Sequence, residues 1–194
     1  MISLVFASAN AHKVAELRQL MAHLPIQLLS LADIGFTADI PETANTLEGN
    51  ALIKASAIAT SYALPCFADD TGLEVEALGG RPGVFSARYA GEPSDSAKNR
   101  SKLLQEMQGK VNRQAQFRTI ICLLLAGKTY YFEGKVEGTI LEHEQGNGGF
   151  GYDALFQPNG YDQSFAAMPT ALKNSISHRG RAVEQLIEAL GRLI

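Results

Sequence analysis

Two periodicities divide the 194-residue chain into strands and helices. Short apolar runs bounded by turn residues are typical of buried strands, whereas apolar residues that recur every three or four positions are typical of amphipathic helices. The two types alternate early in the chain, and a β-hairpin follows later. The predicted elements are strand Ile2–Ala7, a helix over about residues 11–23, strand Ile26–Leu31, an irregular segment Ala32–Asn45, a helix from Thr46 to near Tyr62, strand Leu64–Ala68, a helix capped by Ser94 or Asp95 that runs through Met107, hairpin strands Phe117–Ala126 and Tyr130–Ile140, and a helix from about His178 to Arg192.

The order of these elements predicts an α/β fold. A central mixed, twisted sheet flanked by helices accounts for both the early alternation and the late hairpin. The length favours one domain over residues 1–194 and is sufficient to bury a real core. We expect the hairpin region to form a second lobe, with an active-site cleft between the two lobes.

Composition narrows the class of protein. The net charge is −3 and no basic run occurs, which argues against nucleic acid as a partner of the whole surface, although a nucleotide cleft could be locally basic. Cys66 and Cys122 lie in apolar runs without metal-ligand spacing, so we expect reduced core cysteines in a cytoplasmic protein. Because no charged n-region begins the chain and no stretch approaches the roughly 20 apolar residues of a membrane span, we expect no signal peptide and no membrane partner.

Two adjacent carboxylates, Asp69 and Asp70, follow the apolar run Leu64–Ala68. The run predicts that they lie at the carboxyl end of a strand, where open α/β sheets bind ligands. Neighbouring like charges repel each other unless a proton or a cation relieves them, so Mg²⁺ is the expected partner. Glycine-rich bends follow, as far as Pro82-Gly83. The alternative interpretation is a solvated acidic turn.

The segment Ser8–Lys13 is predicted to join the first strand to the first helix. A helix start offers unpaired N–H groups and a partial positive charge, which suit phosphate, and Lys13 adds a full cation. Ser8 and Asn10 are the candidate caps of this helix. The spacing of a Walker loop is absent. An ordinary capped helix with an exposed lysine remains the alternative.

The glycine-rich segment Gly146–Gly151 formally matches the GxGxxG pattern. No strand–helix unit of the kind that binds dinucleotides surrounds it, so the pattern itself is weak evidence. We interpret the glycines as allowing close approach of a ligand, with Phe150 available to stack on a base. The alternative is a flexible loop.

Cations gather near the predicted start of the last helix. His178 and Arg179 lie there, and Lys173 precedes them. Positive charge is unfavourable at a helix amino terminus unless it faces an anion or an acceptor-rich ligand. Taken alone, the pair is also compatible with ordinary surface residues.

Several segments together carry a family resemblance. The chain resembles the inosine triphosphate pyrophosphatase family, whose members hydrolyse ITP, dITP and XTP to the monophosphate and pyrophosphate. The resemblance covers almost the whole chain and implies a three-layer α/β fold with a long mixed sheet and a homodimer. The segments that carry it are SANAHK (8–13), FADDTGL (67–73), GRPGVFSARYAG (80–91), GGFGYDALF (148–156) and SISHRG (175–180).

The resemblance also implies roles for individual residues. Asp70 would be the catalytic base and a magnesium ligand, and Glu42 a further metal ligand. Phosphate and other substrate contacts would come from Ser8, Ala9, Asn10, Ala11, His12, Lys13, Lys54 and Lys173. Sugar and base contacts would come from Thr71, Phe150, Gly151, Tyr152, Asp153, His178 and Arg179. Ala9 replaces a frequent glycine, and FAAMPTALKN (165–174) lacks the charged run expected in many relatives.

Base choice follows from the chemistry of two of these side chains. Arginine is only a hydrogen-bond donor, and a histidine nitrogen can donate as well, so Arg179 and His178 suit the 6-keto oxygen of hypoxanthine or xanthine better than the 6-amino group of adenine. Guanine has the same keto oxygen. Rejection of GTP must therefore come from a different group, near C2 of the purine.

Two other functions remain open at this point. A related house-cleaning pyrophosphatase of the Maf type would act on pyrimidine or modified triphosphates, although the SHRG segment argues against it. A non-enzymatic nucleotide-binding module would explain the phosphate motifs and leave the paired aspartates and Glu42 without a role. Turnover of a substrate panel distinguishes all three.

Overall fold

The computed structural model describes residues 2–62 and 64–193. Within these residues the chain forms seven strands and five α-helices. The strands are β1 (Ile2–Phe6), β2 (Ile26–Ser30), β3 (Cys66–Val75), β4 (Pro82–Gly83), β5 (Gln114–Leu125), β6 (Lys128–Ile140) and β7 (Phe156–Pro158). The helices are α1 (Ala11–Met21), α2 (Leu47–Tyr62), α3 (Ser96–Glu106), α4 (Thr170–Ile176) and α5 (His178–Leu193).

The strands form one mixed sheet. Its order is β2-β1-β3-β5-β6-β7, and β4 pairs with β3 outside this path. Strand β1 runs parallel to β2, with Ile2 opposite Ile26, and parallel to β3, with Val5 opposite Cys66. The β3–β4 and β6–β7 pairs are antiparallel. The mixed sheet and its helices confirm the predicted α/β fold.

The predicted hairpin is formed by β5 and β6, which are neighbours in the sheet. Ala126 and Gly127 join them, with φ values of 50° and 75°. A two-residue turn whose central positions both have positive φ matches the right-handed twist of the strands it connects. The sequence pattern predicts a turn at Gly127-Lys128. The observed turn lies one residue earlier, because Lys128 already belongs to β6.

The structure divides into two compact units. The first contains the described residues up to Asp70, Thr119–Gly134 and the described residues from Gly180 onward. The second contains Thr71–Arg118 and Lys135–Arg179. Each unit is therefore assembled from segments that are distant in sequence, and β3, β5, β6 and α5 each pass from one unit to the other along their length.

Each unit has its own hydrophobic core. In the first unit, apolar side chains of α1 and α5 pack with those of the strands, as their helical spacing predicts. The buried members of this core are Leu4, Phe6, Val14, Leu17, Met21, Phe67, Ile121, Leu123, Ala182, Val183, Leu186 and Leu190. The core of the second unit is richer in aromatic residues, and its buried members include Leu73, Tyr89, Leu103, Met107, Phe117, Tyr152, Phe156, Phe165 and Met168.

Both cysteines are buried free thiols, as predicted. Burial raises the pKa of Cys66 to about 12, with a smaller contribution from the neighbouring Cys122. Burial also raises the pKa of Cys122 to about 11. Since the thiolate is the reactive form, both side chains behave as small apolar core residues. Among the described helices, none combines the length and the apolar character that crossing a membrane requires.

The prediction that the third strand ends at Ala68 is wrong. Strand β3 continues to Val75, so Asp69 and Asp70 lie within it. Gly72, which the sequence analysis placed among the glycine-rich bends, lies within the strand. A Cβ at this position would lie 2.7 Å from the carbonyl oxygen of Gly83 in the paired strand β4. Gly72 therefore permits close approach of two strands.

Helix α4 was not predicted. It has seven residues and follows Pro169, whose side chain has no oxygen that could accept a capping hydrogen bond. A helix of two turns shows too few apolar repeats to stand out from an irregular segment.

Candidate functional site

The first constellation, the acid–lysine cluster, lies in the first unit and consists of Lys13, Glu42, Lys54, Asp69 and Asp70. Nζ of Lys13 donates a hydrogen bond to Oδ1 of Asp69 at 2.9 Å. Nζ of Lys54 donates to Oε1 of Glu42 and, at 3.5 Å, to Oδ1 of Asp70. Strand β3 supplies both aspartates, helices α1 and α2 supply the lysines, and the irregular segment before α2 supplies Glu42.

Burial and charge determine the electrostatics of the acid–lysine cluster. Asp69, Asp70 and Lys54 are all more than nine-tenths buried. Burial raises the pKa of Asp70, and the nearby ammonium groups of Lys54 and Lys13 offset part of this effect. Burial alone would lower the pKa of Lys54, but the carboxylates of Asp70, Glu42 and Asp69 raise it. The pKa of Asp70 thus rises mainly because of burial, and that of Lys54 rises because of the surrounding carboxylates, so Lys54 stays charged and the three acids, which outnumber the two lysines, favour a further cation.

The start of α1 contains Lys13 of the acid–lysine cluster. Asn10 caps the helix, as predicted, with its Oδ1 accepting from the backbone N–H groups of His12 at 3.0 Å and Lys13 at 3.3 Å. The N–H of Asn10 in turn donates to Oγ of Ser8. Two of the orphan amides of the helix are thus already satisfied. A phosphate at this end would depend more on the side chains of Ser8 and Lys13 than on those two amides.

The acid–lysine cluster has the donor set that magnesium requires. Glu42 and Asp70 share Lys54 as a hydrogen-bond partner, so their oxygens converge on one small volume. Within the described residues, no group of three or more His, Cys, Asp or Glu side chains is arranged to hold a metal ion. Mg²⁺ is commonly bound by one or two carboxylates and completes its octahedron with water and substrate phosphates. The pair of carboxylates fits that mode of binding.

The second constellation is a pocket in the second unit, which we call the aromatic–cation pocket. Its cavity volume is about 120 Å³. Like the binding sites of small molecules, it combines apolar walls with a few polar groups. Its lining residues are Thr71, Leu73, Ser86, Ala87, Ser94, Ser96, Asn99, Phe117, Phe150, Gly151, Tyr152, Asp153, Lys173, His178 and Arg179.

One wall of this pocket is built around Asp153. Its Oδ2 accepts from Nζ of Lys173 and from the backbone N–H of Phe150, both at 2.8 Å. Gly149 has a φ of 67°, and a Cβ there would lie 2.1 Å from Oδ2 of Asp153, so only glycine fits. This arrangement fixes the ring of Phe150, whose centroid lies 5.2 Å from Nζ of Lys173.

Another wall carries the two residues that begin α5. Nη2 of Arg179 donates to Oγ1 of Thr71 at 3.2 Å, and the guanidinium carbon lies 5.5 Å from the ring centroid of Phe150. The His178 ring stacks on Phe117 with centroids 4.7 Å apart. Both residues are almost fully buried, which excludes the interpretation as surface residues. Donors held against aromatic faces can recognise a flat ligand rich in acceptors.

The structure thus sorts the predicted residues into two groups. Glu42, Lys54, Asp70 and Lys13 belong to the acid–lysine cluster. The segment from Ser8 to His12, with Ala9, Asn10 and Ala11, leads into α1 and is largely exposed. The remaining residues line the aromatic–cation pocket: Thr71, Phe150, Gly151, Tyr152, Asp153, Lys173, His178 and Arg179.

Sequence reasoning missed several residues at these sites, among them Asn50 and Phe117. Asn50 is fully buried and donates to Oδ2 of Asp70 at 3.1 Å. Its position one helical turn before Lys54 was the available signal, since residues four apart share a helix face. Phe117 supports His178 from β5, and nothing in its local sequence distinguishes it from other core residues.

Comparison with known proteins establishes the family. A sequence model of the Ham1 family matches residues 4–189. The dITP/XTP pyrophosphatase of Flavobacterium johnsoniae is 51% identical over 189 residues, which are 97% of this chain and 98% of that protein. A dITP/XTP pyrophosphatase of Porphyromonas gingivalis is 51% identical over 191 residues, 98% of either chain. The structure of a HAM1 protein from Coxiella burnetii matches with a TM-score of 0.90 and 36% identity, covering 99% of this chain and all of that one. The chain belongs to the Ham1 family, and the resemblance found in its motifs is confirmed.

Proposed function

We propose that this protein hydrolyses the non-standard purine nucleoside triphosphates ITP, dITP and XTP to the nucleoside monophosphate and pyrophosphate. The observation that carries the proposal is the position of Asp70 and Thr71, which are consecutive in β3 and belong to the acid–lysine cluster and the aromatic–cation pocket respectively. One site suits a metal-bound polyphosphate and the other a flat base with keto oxygens. The names of the most similar relatives support the same substrates.

The acid–lysine cluster is assigned the reaction itself. Asp70 takes a proton from the attacking water, and Asp70 and Glu42 would hold Mg²⁺. Bound Mg²⁺ would neutralise phosphate charge and help to orient the water. Lys13 and Lys54 stabilise the negative charge that develops on the departing pyrophosphate. In the metal-free protein, burial raises the pKa of Asp70, so its carboxylate is a stronger base there than that of an exposed aspartate.

The aromatic–cation pocket is assigned recognition of base and sugar. Phe150 supplies a face for stacking, and His178 and Arg179 supply donors for the 6-keto oxygen. The loop from Phe150 to Asp153, together with Thr71 and Lys173, contacts the remaining base and sugar edges. Adenine would present its amino donor to these donors, leaving buried groups unpaired.

A substrate panel tests this function. The purified protein should release pyrophosphate from ITP, dITP and XTP far faster than from ATP or GTP, and EDTA should abolish the reaction until Mg²⁺ is restored. Hydrolysis in ¹⁸O-labelled water then shows which phosphorus is attacked, because the label enters either the monophosphate or the pyrophosphate. Binding of ITP without turnover at any divalent-metal concentration would refute the proposal.

The proposal extends to the oligomeric state and the compartment. We infer a homodimer and a cytoplasmic location from the family resemblance and from the reduced cysteines. Light scattering coupled to gel filtration measures the first, and fractionation of cells that express a tagged chain measures the second.

A further inference from the structure

Helix α2 contacts both oxygens of Asp70. Asn50 and Lys54 are four residues apart, so they lie on the same face of the helix, one turn from each other. Nδ2 of Asn50 donates to Oδ2 of Asp70 at 3.1 Å, and Nζ of Lys54 donates to Oδ1 at 3.5 Å. The carboxylate therefore has one oxygen held by a neutral amide and the other facing an ammonium group.

The same two side chains also hold the segment that carries Glu42. Lys54 donates to Oε1 of Glu42, and Oδ1 of Asn50 accepts from the backbone N–H of Ala44 at 2.9 Å. Asn50 and Lys54 thus each join Asp70 to the Glu42–Ala44 segment. This irregular segment has no strand or helix of its own to fix it, so these two connections supply its position relative to β3.

The use of asparagine at this place is informative. Asn50 is fully buried in the first turn of α2, where an unpaired amide would be costly. Its Oδ1 accepts from the backbone N–H of Ala44, and its Nδ2 donates to Asp70. A lysine could not accept from Ala44, and an ionised carboxylate could not donate to Asp70, whereas an amide does both through different atoms.

We infer that Asn50 is a positioning residue that sets the distance and orientation between Glu42 and Asp70. The inference rests on the proposed function, in which these two carboxylates bind the metal. Asn50 holds Oδ2 of Asp70, while Lys54 bonds Oδ1 of Asp70 and Oε1 of Glu42, so the two side chains together determine how the carboxylates face each other. Residues that hydrogen-bond to metal ligands typically change metal affinity or activity by about 10- to 100-fold when they are replaced.

The test compares Asn50→Ala with a matched variant, Asn99→Ala. Asn99 is also a buried helical asparagine whose amide makes two hydrogen bonds, donating to the carbonyl oxygen of Ala87 at 2.9 Å and accepting from the N–H of Ala90 at 2.7 Å. It lies in the second unit, where it lines the aromatic–cation pocket outside the acid–lysine cluster, so it serves as the control for metal binding and not for turnover. Each substitution removes two hydrogen bonds of one buried amide, but only Asn50→Ala removes a contact to a carboxylate.

The readout is the affinity of the full chain for Mn²⁺ in the absence of nucleotide, measured by electron paramagnetic resonance. Asn50→Ala should weaken Mn²⁺ binding by about 10- to 100-fold. Asn99→Ala should leave the Mn²⁺ affinity within about twofold of the wild type, because Asn99 contacts none of the carboxylates of the acid–lysine cluster. In turnover of ITP, Asn50→Ala should lower kcat with little change in KM. Thermal unfolding of both variants separates these effects from loss of fold.

A double-mutant cycle with Glu42→Gln makes the result decisive. If Asn50 acts by aligning Glu42 with Asp70, Asn50→Ala should cost little more in Mn²⁺ affinity once Glu42 has lost its charge. Three results would each overturn the inference. They are additive losses of Mn²⁺ affinity in the double mutant, an unchanged affinity in a folded Asn50→Ala protein, and a wild-type protein that turns over ITP without binding Mn²⁺. Absence of ITP turnover with an intact Mn²⁺ difference would instead refute the proposed function alone.

Discussion

The two units bury charge in different ways. In the acid–lysine cluster, charges pair with each other, and acids outnumber bases. In the aromatic–cation pocket, one acid, Asp153, is bound by Lys173, while Arg179 and His178 lie against aromatic rings and hydroxyl groups. The first arrangement attracts a cation, and the second offers donors to a neutral ligand with acceptor atoms.

Under the proposed function, this difference separates the chemistry from the selection of substrate. Substitutions in the acid–lysine cluster should reduce turnover of every triphosphate by a similar factor, because all triphosphates share the reacting groups. Substitutions in the aromatic–cation pocket should change the ratio between bases. The ratio of kcat/KM for ITP to that for ATP is therefore the quantity that distinguishes the two units.

The largest effect is expected for Asp70→Asn. Loss of a general base typically costs about 10²–10⁴ in rate, and loss of a metal ligand adds to this. The amide is isosteric, and the fold should remain intact, as circular dichroism can check. The exposed Asp162→Asn is the control and should retain wild-type turnover. Near-normal kcat for folded Asp70→Asn at saturating Mg²⁺ would show that Asp70 is not the base.

Lys13→Ala should weaken both stability and catalysis. Its partner Asp69 is 1% exposed, and removing one member of a buried ion pair typically costs about 3–5 kcal/mol, because the other charge is left uncompensated. The KM should rise by the same factor for ITP and ATP, since the lysine is assigned to phosphate. Urea unfolding and steady-state kinetics measure the two effects.

Lys98→Ala is the matched control for this prediction. Lys98 also forms an ion pair, with Asp95 at 3.5 Å, but its side chain is 74% exposed. Exposed pairs contribute little, so stability and KM should barely change. If Lys13→Ala behaves like Lys98→Ala in both measurements, Lys13 is an ordinary surface lysine.

Arg179→Ala should act on base choice. A buried donor left unpaired or removed changes kcat/KM by roughly 5- to 150-fold, so the loss with ITP should be of this size and the low ATP rate should change much less. The ITP-to-ATP ratio would then fall toward one. Equal losses on both substrates would assign Arg179 to phosphate or to structure, for example through its bond to Thr71.

The sequence alone predicted the elements whose signal is local. Helices α1 and α5 follow from apolar spacing, and the caps at Asn10 and Asp95 follow from residue type. The extent of β3 could not be predicted, because the reason for Gly72 is a carbonyl in another strand. Short-range sequence patterns contain no information about which strand will pack closely against a given residue.

Most of the candidate site residues came from the family resemblance, which the structure then sorted into two sites. Asn50 was missed because its role depends on partners such as Asp70, which is 20 residues away. Phe117 was missed because a core phenylalanine and one that supports a histidine have the same sequence signal. Tertiary partners, and not propensities, determine these roles.

The smallest effect is expected for Asn10→Asp, which distinguishes a role of Asn10 in helix capping from a role in phosphate binding. Aspartate caps a helix as well as asparagine does and favours the positive end of its dipole, so Asn10→Asp should leave the melting temperature unchanged or slightly higher. It also adds a negative charge where the triphosphate is expected, so KM should rise a few-fold, equally for ITP and ATP, with a stronger effect at low salt. The reverse exchange at the cap of α3, Asp95→Asn, should alter neither KM nor its salt dependence. An unchanged KM for Asn10→Asp would place the phosphates away from the start of α1, whereas a change confined to ITP would show that this helix start reads the base.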